Sequence, residues 1–555
     1  MERKTRIILA VVVCLVIVGV AIGLLVWGLT SREDEKEDAP TVTTTRGTFR
    51  GVRGDGQFSK FLGIPYAVVD ENKPFGPAVP HPGFEEIFDA NDDSTFCAQL
   101  IPTGAAEYGG VLQCLQLHVF VPETANSQNL LPVMAWIHGG GFSQGAAAGD
   151  YPKSLALNDV IVVTVNYRLG VYGFMCLDSP ELPANQGFRD QVLAFRWIKE
   201  HISAFGGDPT SITAFGQSAG GMSINAHLYS NYENLFDKAI IQSGPALSPW
   251  FFVPSHSHAP FVLAQHFNYN PTNITDALAF LATIEPLALT KAAYDTELIS
   301  AVSADKSVIK PCVEKQFDGV EQFITEHPLN MKVAPKVNSS ILMIGYTDEE
   351  FGLEFYPPPE DGNYDNFEYM LNFGFVRDEA LNGTLDLVKR FYVGDEKDFG
   401  INVRRQTSDY AGDFVFAYPS QRMAIQFLEN GAKAVYRFIF SYIGEKNVTG
   451  ASHGAELQFL FDRSQFVSTL DMNEREQRLA DQMTKLWSNF AKYGNPTPEV
   501  TELLPVEWKP ITRRQQFSLD LDLELTLQSR PERRRMTFWD LFYKVYKKYE
   551  VGYEE

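Results

Sequence analysis

The sequence predicts an α/β fold with a large, mostly parallel central sheet flanked by helices, and three observations carry that expectation. Runs at 133–137, 160–165 and 211–215 are largely apolar without period-two alternation, the pattern of strands buried on both faces. Between the last two, residues 190–205 place Val192, Leu193, Phe195, Trp197, Ile198 and Ile202 at helical spacing, so strands alternate with a crossover helix. Two glycine-rich turns, at 138–141 and 216–220, each leave one of these strands.

From the N-terminus onward, residues 7–29 form a 23-residue apolar run without a charge. At about 1.5 Å per residue it spans about 35 Å, enough for a hydrocarbon core of about 30 Å. A cleavable leader would hold a shorter apolar stretch, about 7–15 residues, and a small-residue cleavage site. The expectation is therefore an uncleaved transmembrane anchor. Arg3, Lys4 and Arg6 precede it and mostly acidic residues 32–38 follow. Residues 1–6 are then cytosolic and the remainder lies outside or in a lumen, a single-pass type II topology in contact with a lipid bilayer. Residues 30–45, polar and Thr-rich, read as a stalk. From 46 to 555 no long linker or repeat divides the chain, so one α/β domain is expected. Four Asn-x-Ser/Thr triplets, at Asn273, Asn338, Asn382 and Asn447, fall on the lumenal side as glycosylation acceptors. Residues 537–549 read as an amphipathic closing helix packed on the body.

Composition excludes several functions. Across 555 residues, 47 Lys and Arg stand against 69 Asp and Glu, a net charge of −22, which repels polyphosphate and argues against nucleic-acid binding. Five cysteines are too few for a disulfide-built scaffold. There is no CxxC, HExxH or Walker sequence, and the glycines at 139–141 do not complete GxGxxG because Gln144 holds the required position. No metal and no organic cofactor is expected.

The chemistry sits in the two turns. Gly216-Gln217-Ser218-Ala219-Gly220 between a strand and a helix-compatible stretch is a nucleophile elbow, where glycines two residues either side of the serine relieve a very tight turn. His138-Gly139-Gly140-Gly141 leaves another strand, and consecutive glycines let backbone N–H groups approach a developing oxyanion. Together the two motifs specify an α/β-hydrolase fold. In that fold the order is Ser, acid, His. Beyond His327 the only histidine is His453, which makes it the candidate base. The strand-like run 341–344 is followed by Asp348, Glu349 and Glu350, and residue chemistry alone leaves all three open as the acid.

The chain resembles a type-B carboxylesterase of the cholinesterase-like family from about 47 to 549. The resemblance rests on 62–67 (LGIPYA), the His138 glycine run, 165–170 (VNYRLG), Asn185-Gln186-Gly187 with Asp190-Gln191, 205–209 (FGGDP), the Ser218 elbow, Gln242-Ser243-Gly244 and His453-Gly454. It implies a Ser218, Glu350 and His453 triad, because the family's acid stands five residues after the strand-ending glycine. It further implies oxyanion donors on Gly140, Gly141 and Ala219, with Ser243 and Glu456 bracing the triad. A disulfide between Cys97 and Cys114 is implied as well. Cys176 and Cys312 do not reproduce the family's second short loop and are read as buried free thiols, and Cys14 lies in the apolar run. The chain departs from the family at Gln217, where most members carry Glu, and in the absence of Trp between Cys97 and Cys114, where cholinesterases hold quaternary ammonium.

The expected activity is hydrolysis of small-molecule carboxylic esters through an acyl-enzyme on Ser218. The alternative is a cell-surface adhesion or receptor protein of the same family with little or no activity. Such relatives generally lack triad residues that this chain retains.

Overall fold

The computed structural model describes residues 39–54, 57–101, 107–180, 182–300, 306–331, 333–351, 362–444, 449–465 and 471–554. The expected cytosolic segment 1–6, the anchor at 7–29, the stalk up to residue 38 and Asn447 lie outside them. No described helix is long and apolar enough to cross a membrane.

The continuous apolar runs become the middle of a sheet that has eleven strands among the described residues. In chain order these are β1 (Val52–Arg53), β2 (Phe58–Pro65), β3 (Gln116–Pro122), β4 (Leu131–Ile137), β5 (Ile161–Val165), β6 (Gly207–Gln217), β7 (Lys238–Gln242), β8 (Ile341–Thr347), β9 (Ala434–Phe440), β10 (Phe517–Leu521) and β11 (Thr526–Ser529). Their spatial order is β11-β10-β9-β8-β7-β6-β4-β5-β3-β2-β1. The strands from β5 across to β10 pair in parallel. Antiparallel pairs finish both edges. Every residue of β5 and β7 is buried, which is why neither run alternates in polarity.

Alternate residues of β4 feed two separate cores. Val133, Ala135 and Ile137 belong to one apolar cluster, whereas Met134 and Trp136 belong to another on the opposite face, as the strand period requires. The first face is covered by α1 (Gln186–His201) and α2 (Ala219–Tyr229) through residues such as Phe195 and Ile224. The second receives α4 (Glu474–Tyr493), which follows α3 (Arg404–Gly412) in the chain and buries Leu479, Met483, Leu486, Trp487 and Phe490. Sequence signals fix the ends of α4. Asn473 and Glu476 form a reciprocal cap at its start, and Gly494 takes a left-handed conformation at its end.

Boundaries differ modestly from the expected ones. α1 begins at Gln186 rather than 190, because Asn185 at φ 55° turns the chain into the helix and the first turn carries no apolar period. The closing helix α5 spans Arg533–Tyr546, and its buried Met536, Trp539, Phe542 and Tyr543 pack it on the body.

Cys97 and Cys114 form a disulfide with a Cα–Cα distance of 4.9 Å. The expectation of free thiols at Cys176 and Cys312 is corrected: they are bonded to each other, Cα–Cα 6.4 Å, across a sequence separation of 136. The segment around Cys312 is drawn to the start of α1 by Asn185. Its Nδ2 donates to the Cys312 carbonyl at 2.9 Å and its Oδ1 accepts from the Cys312 N–H at 3.1 Å. Spacing along the chain carries no trace of that contact.

In an open parallel sheet a cleft forms outside the carboxyl ends of the strands where the winding order reverses. Here β5 and β6 flank β4, so the reversal sits at β4, and the two glycine-rich turns leave the carboxyl ends of β4 and β6.

Candidate active site

Ser218 follows β6 directly and caps α2. Its backbone stands at φ 55° and ψ −125°, a region that costs a residue with a side chain about 1–3 kcal/mol. The neighbouring backbone explains why the turn takes this shape. A Cβ added to Gly216 would sit 2.6 Å from the Ile137 carbonyl oxygen, and one on Gly220 only 1.9 Å from it. The end of β4 is thus pressed against the start of α2, and both glycines are required.

The glycine run lies alongside. Gly140 and Gly141 have φ of 106° and 60°. A Cβ on Gly139 would meet the Gln217 carbonyl at 2.7 Å and the Ser218 Cβ at 3.1 Å, so the run reaches the serine only because side chains are missing. His138 Nδ1 lies 2.8 Å from the Gly139 carbonyl. Burial pushes the His138 ring down to about 4, so it is neutral near pH 7, and it must donate from Nδ1 because a carbonyl only accepts. In a planar trans peptide the Gly140 N–H opposes the Gly139 carbonyl and therefore points away from His138. Among the described residues none accepts from the N–H of Gly140 or Gly141. Ala219 opens α2, where the first N–H groups lack intrahelical partners.

Strand register carries the other side chains to the same edge. Gln217 pairs with Gln242, Gln242 with Gly345, and Gly345 with Phe438. Ser243 therefore leaves β7 beside the elbow, and Glu350 follows β8. Glu350 Oε2 is 2.5 Å from His453 Nδ1. Its Oε1 accepts from Ser243 Oγ at 2.6 Å and from the Thr347 N–H at 3.0 Å. Both Glu350 and the His453 side chain are buried. The far nitrogen of the ring, His453 Nε2, is 3.0 Å from the Gln217 side-chain amide. The Phe416 ring lies 4.8 Å from the imidazole. Phe416 sits in the π-helical turn Asp413–Ala417, the kind of helix irregularity that gathers at functional sites.

The two other candidate carboxylates face elsewhere. Asp348 Oδ1 accepts from the Ala451 N–H at 2.7 Å, and burial raises Asp348 to about 6. Glu349 pairs with Arg405 at 3.1 Å and accepts from Thr449 Oγ1 at 2.7 Å, while its N–H donates to the Ala451 carbonyl. Both therefore splint the segment that presents His453. Glu456 is also buried here. Its Oε1 accepts from Gln242 Nε2 at 3.0 Å, and Gln242 Oε1 accepts from Trp487 Nε1 at 3.1 Å. Burial, reinforced by the charge of Glu350, raises Glu456 to about 7 against the hydrogen bond from Gln242.

Sequence reasoning missed Gln242, Phe416 and the splint of Asp348 and Glu349. Only Gln242 had a local signal, standing directly before Ser243. Asn273, Asn338 and Asn382 are all exposed. Among the described residues no group of His, Cys, Asp or Glu is arranged to hold a metal ion.

The model of the carboxylesterase family matches residues 38–539. Juvenile hormone esterase of Tribolium castaneum is 32% identical over 83% of this chain and 84% of its own length. Pyrethroid hydrolase Ces2e of Rattus norvegicus is 29% identical over 93% and 92%, and acetylcholinesterase of Bungarus fasciatus 28% over 90% and 86%. Among solved structures, PNB esterase superposes with a TM-score of 0.75 at 28% identity, covering 90% of this chain and 99% of that one.

Proposed function

The chain belongs to the carboxylesterase family and is a carboxylic ester hydrolase, and on that premise we propose that it works through an acyl-enzyme on Ser218. The observation that carries the reading is the contact of Glu350 with His453 Nδ1 at the sheet edge where the Ser218 elbow and the glycine run also meet. His453 Nε2 takes the hydroxyl proton as Ser218 Oγ bonds to the ester carbonyl, and Glu350 holds the Nδ1–H and stabilises the imidazolium. The N–H groups of Gly140, Gly141 and Ala219 receive the oxyanion. His453 then protonates the departing alcohol, and a water activated by the same nitrogen releases the acid.

Ser218→Ala is expected to abolish covalent labelling by a fluorophosphonate and to lower ester turnover by about 10⁴-fold or more. Labelling that persists in this variant refutes the nucleophile. The binding-protein alternative is not favoured, since the relatives compared are hydrolases and esterases by name. Without a Trp between Cys97 and Cys114 the proposed substrates are uncharged esters rather than choline esters. A comparison of acetylthiocholine with a nitrophenyl ester reads that choice directly.

The proposal extends to topology. The apolar run at 7–29 anchors the chain in a bilayer, and the hydrolase domain, from 46 onward, faces the outside or a lumen. The two disulfides support an oxidising compartment. The exposed Asn273, Asn338 and Asn382 are proposed to carry glycans there, with Asn447 as the fourth acceptor.

A further inference from the structure

The contact between Gln217 and His453 has a chemical consequence beyond the triad. Gln217 is buried and lodged between the two loops of the site. Its Oε1 lies 3.1 Å from where a Gly139 Cβ would stand, and its Nε2 3.4 Å from where a Gly454 Cβ would stand. Its amide reaches His453 Nε2 at 3.0 Å, the nitrogen that receives the serine proton in the proposed reaction.

Proton positions on the ring follow from the partners. The Glu350 carboxylate oxygen that faces Nδ1 at 2.5 Å is an acceptor, so Nδ1 carries the hydrogen in the neutral ring. Nε2 then holds a lone pair, and the amide turns its NH₂ toward it. A donor at this position satisfies the neutral imidazole, and the amide releases Nε2 when that nitrogen takes the serine proton. A carboxylate could not donate and would satisfy only the imidazolium. An amide can also rotate by half a turn and accept from Nε2–H, whereas an ion pair would hold that proton against delivery to the leaving alcohol. The other charged groups facing the imidazole are Glu350 from the β8 turn and Glu456 from the 3₁₀ turn Ala455–Phe459. Asp348 lies further off, on the Ala451 N–H.

We propose that Gln217 is a positioning residue of the acyl transfer, holding the His453 ring in line and favouring its neutral form, so that the enzyme works at lower pH than it would with an acidic side chain there. The proposal rests on the assignment of His453 as base.

The test is the rate of fluorophosphonate labelling at Ser218 from pH 5 to 8, measured on the wild type, Gln217→Glu and Gln217→Met, with nitrophenyl ester kcat/KM in parallel. The wild type is expected to lose reactivity on acidification. In Gln217→Glu the acidic limb moves to higher pH by about one unit or more, the effect of a carboxylate within contact distance. Gln217→Met, which keeps the length but neither hydrogen bond, moves it by less. A Gln217→Glu limb that coincides with the wild type's, or lies below it, overturns the proposal. A wild-type rate that is flat across the range overturns instead the assignment of His453, so the two failures are distinguishable. If Gln217→Glu does not fold, the methionine variant decides, and an unmoved limb there counts against the proposal.

Discussion

Replacing Glu456 by Gln is expected to make the protein more stable relative to wild type as the pH rises. The carboxyl is buried, and burial together with the charge of Glu350 raises it from 4.5 to about 7. Its Oε1 keeps the hydrogen bond from Gln242, while Oε2 has no partner among the described residues. A carboxyl raised in the folded state binds its proton more tightly there than in the unfolded chain. Its contribution is therefore fully present below about pH 4.5 and is lost as the pH climbs through about 7. A shift of roughly 2.5 units at about 1.4 kcal/mol each amounts to about 3 kcal/mol. Gln keeps the shape and never ionises, so whatever fixed cost the amide adds is the same at every pH. About 2.5 kcal/mol of this is lost between pH 5 and pH 8, and with an unfolding entropy of about 2.1 cal/mol/K per residue the difference in melting temperature between variant and wild type should grow by about 2 °C across that range. Thermal unfolding of both proteins at one scan rate across that range measures it. A difference that stays flat, or shrinks toward alkaline pH, refutes the claim that a proton is held at this carboxyl.

Three further outcomes follow from the same structure. Glu350→Gln keeps the shape but loses the charge that faces His453, and ester hydrolysis should fall by about 10⁴-fold with the circular dichroism unchanged; a loss under tenfold removes Glu350 from the mechanism. Non-reducing peptide mapping should recover the Cys176 and Cys312 peptides joined, and Cys312→Ser should cost about 2–5 kcal/mol, as removal of a native disulfide generally does; separate peptides in the unreduced digest would return both cysteines to free thiols. The full chain should remain with membranes through alkaline carbonate extraction, while a chain beginning at residue 46 should be released; equal release of both argues against the anchor.

What the sequence revealed and what it hid differ in physical kind. The strands were legible because a parallel strand buried on both faces must be apolar at successive positions, as at Ile161–Val165. The elbow and the glycine run were legible because their constraint is local: without Gly216, Gly220 and Gly139, backbone atoms would collide. The matched stretch at 165–170 with Asp190 was recognisable but had no role until the fold was known. There Arg168 Nε and Nη2 clamp the Asp190 carboxylate at 2.7 Å, tying the end of β5 to α1, and Arg168 Nη1 donates to the Pro74 and Gly76 carbonyls. The bond between Cys176 and Cys312 was hidden for the opposite reason. It joins segments 136 residues apart whose approach is decided by packing around Asn185 and α1.

The three carboxylates that follow β8 make the same point about the site itself. Asp348, Glu349 and Glu350 are chemically near-equivalent and adjacent, so composition cannot divide their roles. Geometry divides them by direction. Glu350 turns toward His453 and is met by Ser243 and Thr347. Glu349 turns toward Arg405 and Thr449, and Asp348 toward the Ala451 N–H. The outer two bind the segment that carries the histidine, and the inner one binds the histidine itself. Exchange of any one for its amide is therefore not equivalent to exchange of another. Loss of charge at Glu350 acts on the imidazole. Loss at Glu349 removes one of several partners of Arg405, which still meets Asp409 and the Thr449 carbonyl, and weakens the tie from Thr449 to the segment that leads to His453. The proposed triad is braced by at least these two further residues, and their contribution exists only because β8 and β9 lie side by side in the sheet.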